Sequence, residues 1–277
     1  MTYRLYNLDC LSFTSSIPDG YADLTVCSPP YEDARTYGID FKLKGQQWVD
    51  WATERFVECC RITKGLVVWV VEGKTRQFRW SATPALMMAD LHRRGIKLRK
   101  PPVFHRVGIP GSGGPDWWRN DYEFCVCASH GKLPWSDNTA TGSRAKYDNG
   151  GACSNRTREG VRVRGEKSTS GAQRRQGPAR YAKPRSGIAN PGNVIHCKVG
   201  KGHMGSNLAH ENEAPFPESL VEQFVKCFCP PNGIVFDPFC GSGTTGAVAI
   251  REGRRFLGCD VRQSQIELTE RRIKELL

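Results

Sequence analysis

Two short stretches of the chain carry residue types and spacings that can do chemistry. The first, Ser28-Pro29-Pro30-Tyr31, follows an apolar run, Tyr21 to Cys27, that reads as a strand. Two consecutive prolines cannot continue a central strand. In an open α/β sheet, the end of a strand is where ligands bind. Prolines lack N–H groups, so their carbonyls are left to point at a ligand. Ser28 adds an accepting hydroxyl and Tyr31 a flat face. Together they describe a slot for a planar amine, with acceptors for its N–H bonds and a ring to stack on it. Read alone, the tetrapeptide is more simply a proline-rich strand exit with an ordinary surface tyrosine, and it is the pairing with a second motif that favours the slot.

The second stretch, Val235 to Gly246, reads as strand, glycine turn and helix, with Cys240-Gly241-Ser242-Gly243-Thr244 at the turn. Glycines let a backbone turn sharply and approach a ligand closely. Asp260 closes the next strand, 19 residues after Gly241, where a carboxylate can accept from ribose hydroxyls. Both features match a dinucleotide fingerprint, which keeps a nicotinamide enzyme among the readings. Only one candidate strand follows the loop, so earlier strands must complete the sheet. Asp237-Pro238-Phe239 puts a carboxylate and a ring beside the loop. A cationic, adenosine-bearing cofactor such as S-adenosylmethionine suits that setting better than a pyrophosphate.

The elements that must hold these loops alternate in type. Strands are expected at Arg4 to Leu8, Tyr21 to Cys27, Gly65 to Val71, Lys97 to Val107, Tyr122 to Ala128, Gly233 to Phe239 and Arg255 to Asp260. Helices are expected at Trp48 to Arg61, Thr83 to Arg94, Pro217 to Cys229, Thr244 to Arg251 and Ser264 to Leu277. Strands alternating with helices predict an α/β fold with a mainly parallel sheet.

The chain has 277 residues, enough for one large domain or a core plus an insert. Its longest apolar run, Gly65 to Val71, falls well short of the roughly 20 residues of a membrane helix. The N-terminus lacks the basic start and apolar core of a secretory signal. The twelve cysteines are scattered, unlike those of short secreted disulfide scaffolds. These features argue against a membrane protein, a secreted miniprotein and a disordered chain.

The net charge is +12, from 40 Lys and Arg against 28 Asp and Glu. Thr141 to Gly187 holds twelve basic and three acidic residues, a net +9. Its arginines include Arg144, Arg156, Arg158, Arg162, Arg164, Arg174, Arg175 and Arg180, with Tyr147 and Tyr181 among them. Such a segment buries little apolar surface by itself and favours a polyanion, with binding that weakens in salt. A solvated disordered linker is the alternative.

Other reactive residues have structural readings. Cys125, Cys127, Cys227 and Cys229 alternate along apolar stretches without zinc-pair spacing and read as small core residues. His196, Cys197, His203 and His210 could ligate zinc or simply line a loop, and no metal is expected. Trp117 and Trp118 are core or line a cleft.

With these motifs in view, the chain resembles the amino-methylating DNA methyltransferases. The order is their beta order, with the catalytic tetrapeptide first, the recognition region between, and the cofactor loop last. Asn7 to Cys10 and Ile17 to Gly20 look like the segment before the catalytic strand. Asp23 to Tyr31 matches the catalytic motif, and Arg35-Thr36-Tyr37-Gly38 its continuation. Asp121 to Phe124 looks like the late strand before the recognition region. His210 with Ala214 to Glu218 looks like the segment over the cofactor, and Asp237 to Thr245 matches the cofactor loop.

The resemblance implies a Rossmann-like, S-adenosylmethionine-dependent methyltransferase sheet in permuted motif order. Residues 1–131 and 201–277 would form the catalytic core, and residues 132–200 a basic target-recognition insert. It implies a cytoplasmic enzyme of bacterial, archaeal or phage type acting on double-stranded DNA, alone or beside a separately encoded restriction endonuclease. Serine at the first tetrapeptide position is typical of the cytosine N4 amine and aspartate of the adenine N6 amine, so a type II cytosine-N4-specific enzyme is expected. Methylation of adenine N6 is the alternative, and a non-catalytic DNA-binding protein a remote one. Ser28 and Pro29 would accept the amine's N–H bonds, with Pro30 stiffening the turn and Tyr31 stacking on a flipped base. Asp260 would hold ribose, Asp9 would lie near adenosine and Asp237 near the methionine end. Phe216 and Phe239 would wall the pocket beside Cys240, Gly241, Ser242, Gly243 and Thr244. Arg35 and the insert arginines would meet DNA.

Overall fold

A computed structural model of the chain describes residues 2–33, 40–108, 113, 115–144, 154–156, 161–164, 188–200, 202–212 and 214–277. In chain order it contains β1 (Tyr3–Asn7), α1 (Cys10–Thr14), β2 (Ala22–Cys27), α2 (Gln46–Ile62), β3 (Thr63–Val71), β4 (Thr75–Arg76), β5 (Arg79–Trp80), α3 (Thr83–Arg93), β6 (Leu98–Arg99), β7 (Val103–Val107) and β8 (Tyr122–Ala128). Then follow β9 (Ser143–Arg144), β10 (Ser154–Arg156), β11 (Arg162–Arg164), β12 (Ile188–Ala189), β13 (Val194–Lys198), α4 (Glu218–Phe228), β14 (Ile234–Asp237), α5 (Thr244–Arg251), β15 (Arg255–Asp260) and α6 (Gln263–Lys274).

The described residues divide into two compact units, Met1–Ala140 with Gly192–Leu277, and Thr141–Pro191. In the first unit the main sheet runs β1-β15-β14-β2-β3-β8-β7-β13, with β6 on β8. The pairs β1–β15, β15–β14, β14–β2, β2–β3 and β7–β13 are parallel. β8 is antiparallel to β3, β6 and β7. Among the described residues, β8 is thus the one reversed strand in an otherwise parallel sheet. The fold is α/β, as expected.

Alternation along each strand sorts side chains onto two faces. Val67, Trp69 and Val71 of β3 enter one core with Trp48, Phe56, Met87 and Leu91 from α2 and α3. Leu66, Val68 and Val70 enter the other with Leu220, Phe224, Val248 and Ile273 from α4, α5 and α6. Burying the sheet on both faces explains why β3 reads as a continuous apolar run rather than an alternating one. Gly65 lets β3 close on an irregularity in β2, since a Cβ there would meet the Asp23 carbonyl oxygen at 1.9 Å.

The structure departs from the sequence-based elements in particular places. The strand expected over Lys97 to Val107 is two strands, β6 and β7, divided at Pro101-Pro102, which cannot donate to a ladder. β13 lies in the stretch assigned to the insert, yet it extends the main sheet beside β7 with Cys197 buried. In the second unit, β10 pairs with β11 and β9 with β12, both antiparallel. No described helix is long and apolar enough to cross a membrane.

Candidate active site

The parallel neighbours β1, β15, β14 and β2 end on the same edge of the sheet. Their C-terminal ends therefore gather Asp9, Asp260, the Pro238 to Thr244 loop and Ser28 to Tyr31 around one cavity of about 390 Å³. Ligands in open α/β sheets bind at such strand ends. Two motifs some 200 residues apart in sequence meet because β14 lies against β2, with Val235 opposite Leu24. Thr245 adds a tie from the first turn of α5, donating from its hydroxyl to the Val26 carbonyl at 3.2 Å.

The glycine loop is held from both sides. Gly241 and Gly243 have φ of +50° and +74°, where side chains are strained. One Asp260 oxygen accepts from the Gly241 N–H at 3.0 Å and the other from the Arg262 N–H at 2.9 Å. Burial raises the Asp260 pKa, opposed by those two hydrogen bonds. Behind the loop, buried Arg272 donates to the Ser242 carbonyl at 3.1 Å, to Thr244 at 3.0 Å, to the Met204 carbonyl at 2.9 Å and to Glu218 at 2.6 Å. One planar guanidinium with five donors can bind so many acceptors. It fastens the loop to the segment before α4 and to α4 itself.

Asp237 was expected near the methionine end, but it does not line the cavity. It lies buried beneath the loop, where it accepts from the Phe239 N–H at 2.9 Å. Burial pushes its carboxyl up to about 7, opposed by the hydrogen bond from the Phe239 N–H. Gly243 is likewise behind the loop, since a Cβ there would meet Thr269 at 2.8 Å. Asp9 lines the cavity, caps α1 through the Leu11 N–H at 2.9 Å, and pairs with Arg55 at 3.3 Å.

Phe216 and Phe239 are both cavity walls. Phe239 packs on Trp69 and Trp51, with ring centroids 5.3 and 5.7 Å apart, and Trp51 packs on Phe41 at 4.9 Å. Such pairs contribute about 0.5–1.5 kcal/mol each beyond burial, so the wall is set before a ligand arrives. Cys240, Gly241, Ser242 and Thr244 also line the cavity. Phe41 and Trp51, which sequence reasoning passed over, line it too. Trp51 reads as one more apolar position of α2, with no sequence signal of its second role.

At the other end of the cavity, Ser28 donates from its hydroxyl to that of Tyr31 at 3.3 Å, and Tyr31 donates to Glu123 at 2.7 Å. Glu123 also pairs with Arg106 at 3.2 Å. Burial raises the Glu123 pKa, while Tyr31 and Arg106 oppose the rise. The Pro30 carbonyl accepts from the Trp48 indole at 2.9 Å, which fixes the exit of the tetrapeptide. Buried Glu32 accepts from the N–H groups of Gly45 and Lys74 and the hydroxyl of Thr83, at 2.9, 3.2 and 3.2 Å, tying three segments to the loop. The acidic residue after the tetrapeptide was in plain view, but its partners are 13 or more residues away in sequence.

Burial pushes the thiols of Cys27 and Cys240 well above their ordinary value, so neither supplies a thiolate at neutral pH. Cys125, Cys127, Cys227 and Cys229 are core residues. His196 sits 2.7 Å from His105 through their Nδ1 atoms, and Cys197 faces the core. Among the described residues there is no group of three or more His, Cys, Asp or Glu side chains arranged for a metal. Of the arginines expected on DNA, Arg144 is exposed on β9. Arg156 lies on β10, and Arg162 and Arg164 lie on β11. Arg35, Arg158, Arg174, Arg175 and Arg180 lie outside the described residues.

The cavity suits an adenosyl sulfonium. Three carboxylates, Asp9, Glu123 and Asp260, line it against two guanidinium groups, Arg106 and Arg262, and with Glu123 already paired to Arg106 the lining favours a cation over a pyrophosphate. Each Asp260 oxygen keeps accepting capacity for a ribose hydroxyl, and aromatic walls offer an apolar bed.

The family described as DNA methylase, comprising N6 and N4 methyltransferases, matches residues 22–271, and the chain belongs to it. It is a DNA methyltransferase that uses S-adenosylmethionine. The chain is 27% identical over 274 residues to the orphan methyltransferase M.BamHII of Bacillus amyloliquefaciens, covering 95% of this chain and 92% of that one. It is 26% identical over 272 residues to the DNA adenine methyltransferase YhdJ of Escherichia coli, covering 96% and 80%. The fold matches that of the cytosine-N4-specific PvuII DNA methyltransferase, with a TM-score of 0.68 at 18% identity over 98% of this chain and 86% of that one. Solved structures of the same fold include complexes with S-adenosyl-L-methionine.

Proposed function

We propose that this enzyme methylates the N4 amine of a cytosine flipped out of sequence-specific sites in double-stranded DNA. The observation that carries the reading is Ser28, a neutral hydroxyl at the first tetrapeptide position, lining the same cavity as the cofactor loop. Bound S-adenosylmethionine supplies an electrophilic methyl group. The protein's part is to present the amine. The Ser28 hydroxyl and the Pro29 carbonyl accept its two N–H bonds and draw the nitrogen towards tetrahedral geometry. Charge developing on that nitrogen then meets acceptors already in place, the mirror image of an oxyanion hole. Holding both reactants aligned supplies much of the rate. Tyr31, tethered by Glu123, stacks on the base once it leaves the helix. Asp260 receives the ribose hydroxyls and Asp9 lies by the adenosine.

A second reading, methylation of adenine N6, is favoured by the similarity to an adenine methyltransferase over 96% of the chain. The insert arginines divide between phosphates and guanine edges in either case. The deciding experiment incubates the purified protein with radiolabelled S-adenosylmethionine and unmethylated plasmid or phage DNA, digests to nucleosides and identifies the labelled one by mass. N4-methylcytosine is the expected product. N6-methyladenine would overturn the reading of Ser28 while keeping fold and cofactor. Absence of label on several DNAs, with no cofactor binding, would leave a DNA-binding protein.

A further inference from the structure

Between β3 and α3 the chain forms a small hairpin, β4 and β5, with Thr75 opposite Trp80 and Arg76 opposite Arg79. Its two-residue tip is Gln77-Phe78, with φ of +48° and +62°. Two-residue turns of this kind favour Asn and Gly. A phenylalanine there is strained, and strain of this kind persists where the surroundings enforce it, often at functional sites. The Phe78 side chain is also 85% exposed, so packing against the protein does not account for an aromatic at this position.

The hairpin is rigidly placed beside the catalytic loop. The Lys74 N–H donates to Glu32 at 3.2 Å, and the Lys74 ammonium donates to the Asp33 carbonyl. Arg76 pairs with the Asp33 carboxylate at 2.8 Å. The Trp80 indole donates to Glu72 at 2.9 Å, and its ring lies 6.3 Å from that of Phe124. Glu32 and Asp33 directly follow Tyr31, so the stem is bonded to the residues that leave the base slot. Arg76 and Arg79 stand exposed on either side of Phe78.

An apolar tip flanked by cations, projecting from the rim of a base slot, matches the chemistry of a nucleic-acid wedge. Apolar side chains that enter a base stack open it, while adjacent basic groups hold the phosphates. We propose that Phe78 is such a wedge: it enters the duplex at the target pair and fills the space that the flipped base vacates, with Arg76 and Arg79 on the flanking phosphates. The assignment rests on the base-flipping methylation proposed above.

Phe78→Ala and Phe78→Trp test it, because the side chain is 85% exposed and either variant should fold. Two duplexes carrying the methylated site are compared, one fully paired and one with an abasic residue opposite the target base, which removes the pairing that flipping must break. Expected for Phe78→Ala is a loss of about 10-fold or more in kcat/KM on the paired duplex and recovery to within about twofold of wild type on the abasic one. Cofactor affinity should not change, and Phe78→Trp should retain activity on both. An equal loss on both duplexes, or none on either, overturns the wedge. Wild-type protein that labels neither duplex overturns the methylation reading, and the wedge with it.

Discussion

The Tyr31 hydroxyl donates to the Glu123 carboxylate across 2.7 Å, although the two residues are 92 positions apart. The bond crosses from the loop after β2 to β8, passing over β3, and fixes the tilt of the ring expected to meet the base. Tyr31→Phe keeps the ring and removes the tether. We expect a stability loss of about 1.5–3 kcal/mol, typical of a hydrogen bond to a charged group, and a severalfold drop in turnover with unchanged cofactor affinity. Urea unfolding, steady-state kinetics and calorimetric titration read the three quantities. A variant with wild-type stability and turnover would show that the hydroxyl positions nothing.

Ser28→Ala should lower turnover by about 100-fold or more, the scale of removing one preorganised charge-stabilising group. S-adenosylmethionine affinity should stay within about twofold, because the role proposed for Ser28 is at the amine rather than at the cofactor. Equal losses of turnover and cofactor affinity would sink the assigned role.

Asp260→Asn is nearly isosteric, but its amide offers one accepting oxygen where the carboxylate offers two. Gly241 and Arg262 then compete for it. We expect the cofactor Kd to rise by about 10- to 100-fold, about 1.4–2.7 kcal/mol, with kcat at saturating cofactor changed little. An unchanged Kd in isothermal titration would remove Asp260 from the cofactor site.

The Asp237 carboxyl, pushed by burial up to about 7, titrates near 3.9 in an unfolded chain (about the model-peptide value). Between those values the folded protein holds a proton that the unfolded chain releases. This contribution to stability is full below about pH 4 and is lost as pH rises to about 7. Asp237→Asn removes the titration, so its stability should vary less over that window than wild type, by on the order of 1 kcal/mol or more. Paired denaturant titrations at several pH values measure the difference, and parallel curves would refute it.

The chemistry of the chain was legible where it is local. Ser28 to Tyr31 and Cys240 to Thr244 stand out because proline and glycine constrain the backbone wherever they occur. β8, α5 and β15 could be bounded to the residue because apolar period and breakers coincide there. The β4–β5 hairpin carried no turn signal, since Gln77-Phe78 lacks the residues such a turn prefers. β13 could not be told from the polar segment before it, because its five residues bury little beyond Cys197.

What the sequence determined by itself, then, is the set of reactive groups, the α/β class and the basic middle segment, all consequences of short-range stereochemistry and composition. Only tertiary structure decided which groups meet. Strand order set β14 against β2 and so joined the two loops at one cavity. Side-chain direction put Asp237 beneath the loop and Asp260 at its mouth. The reversed strand β8 carried Glu123 to Tyr31. These are long-range contacts, settled by how two faces of one sheet are buried together, and no window of neighbouring residues encodes them.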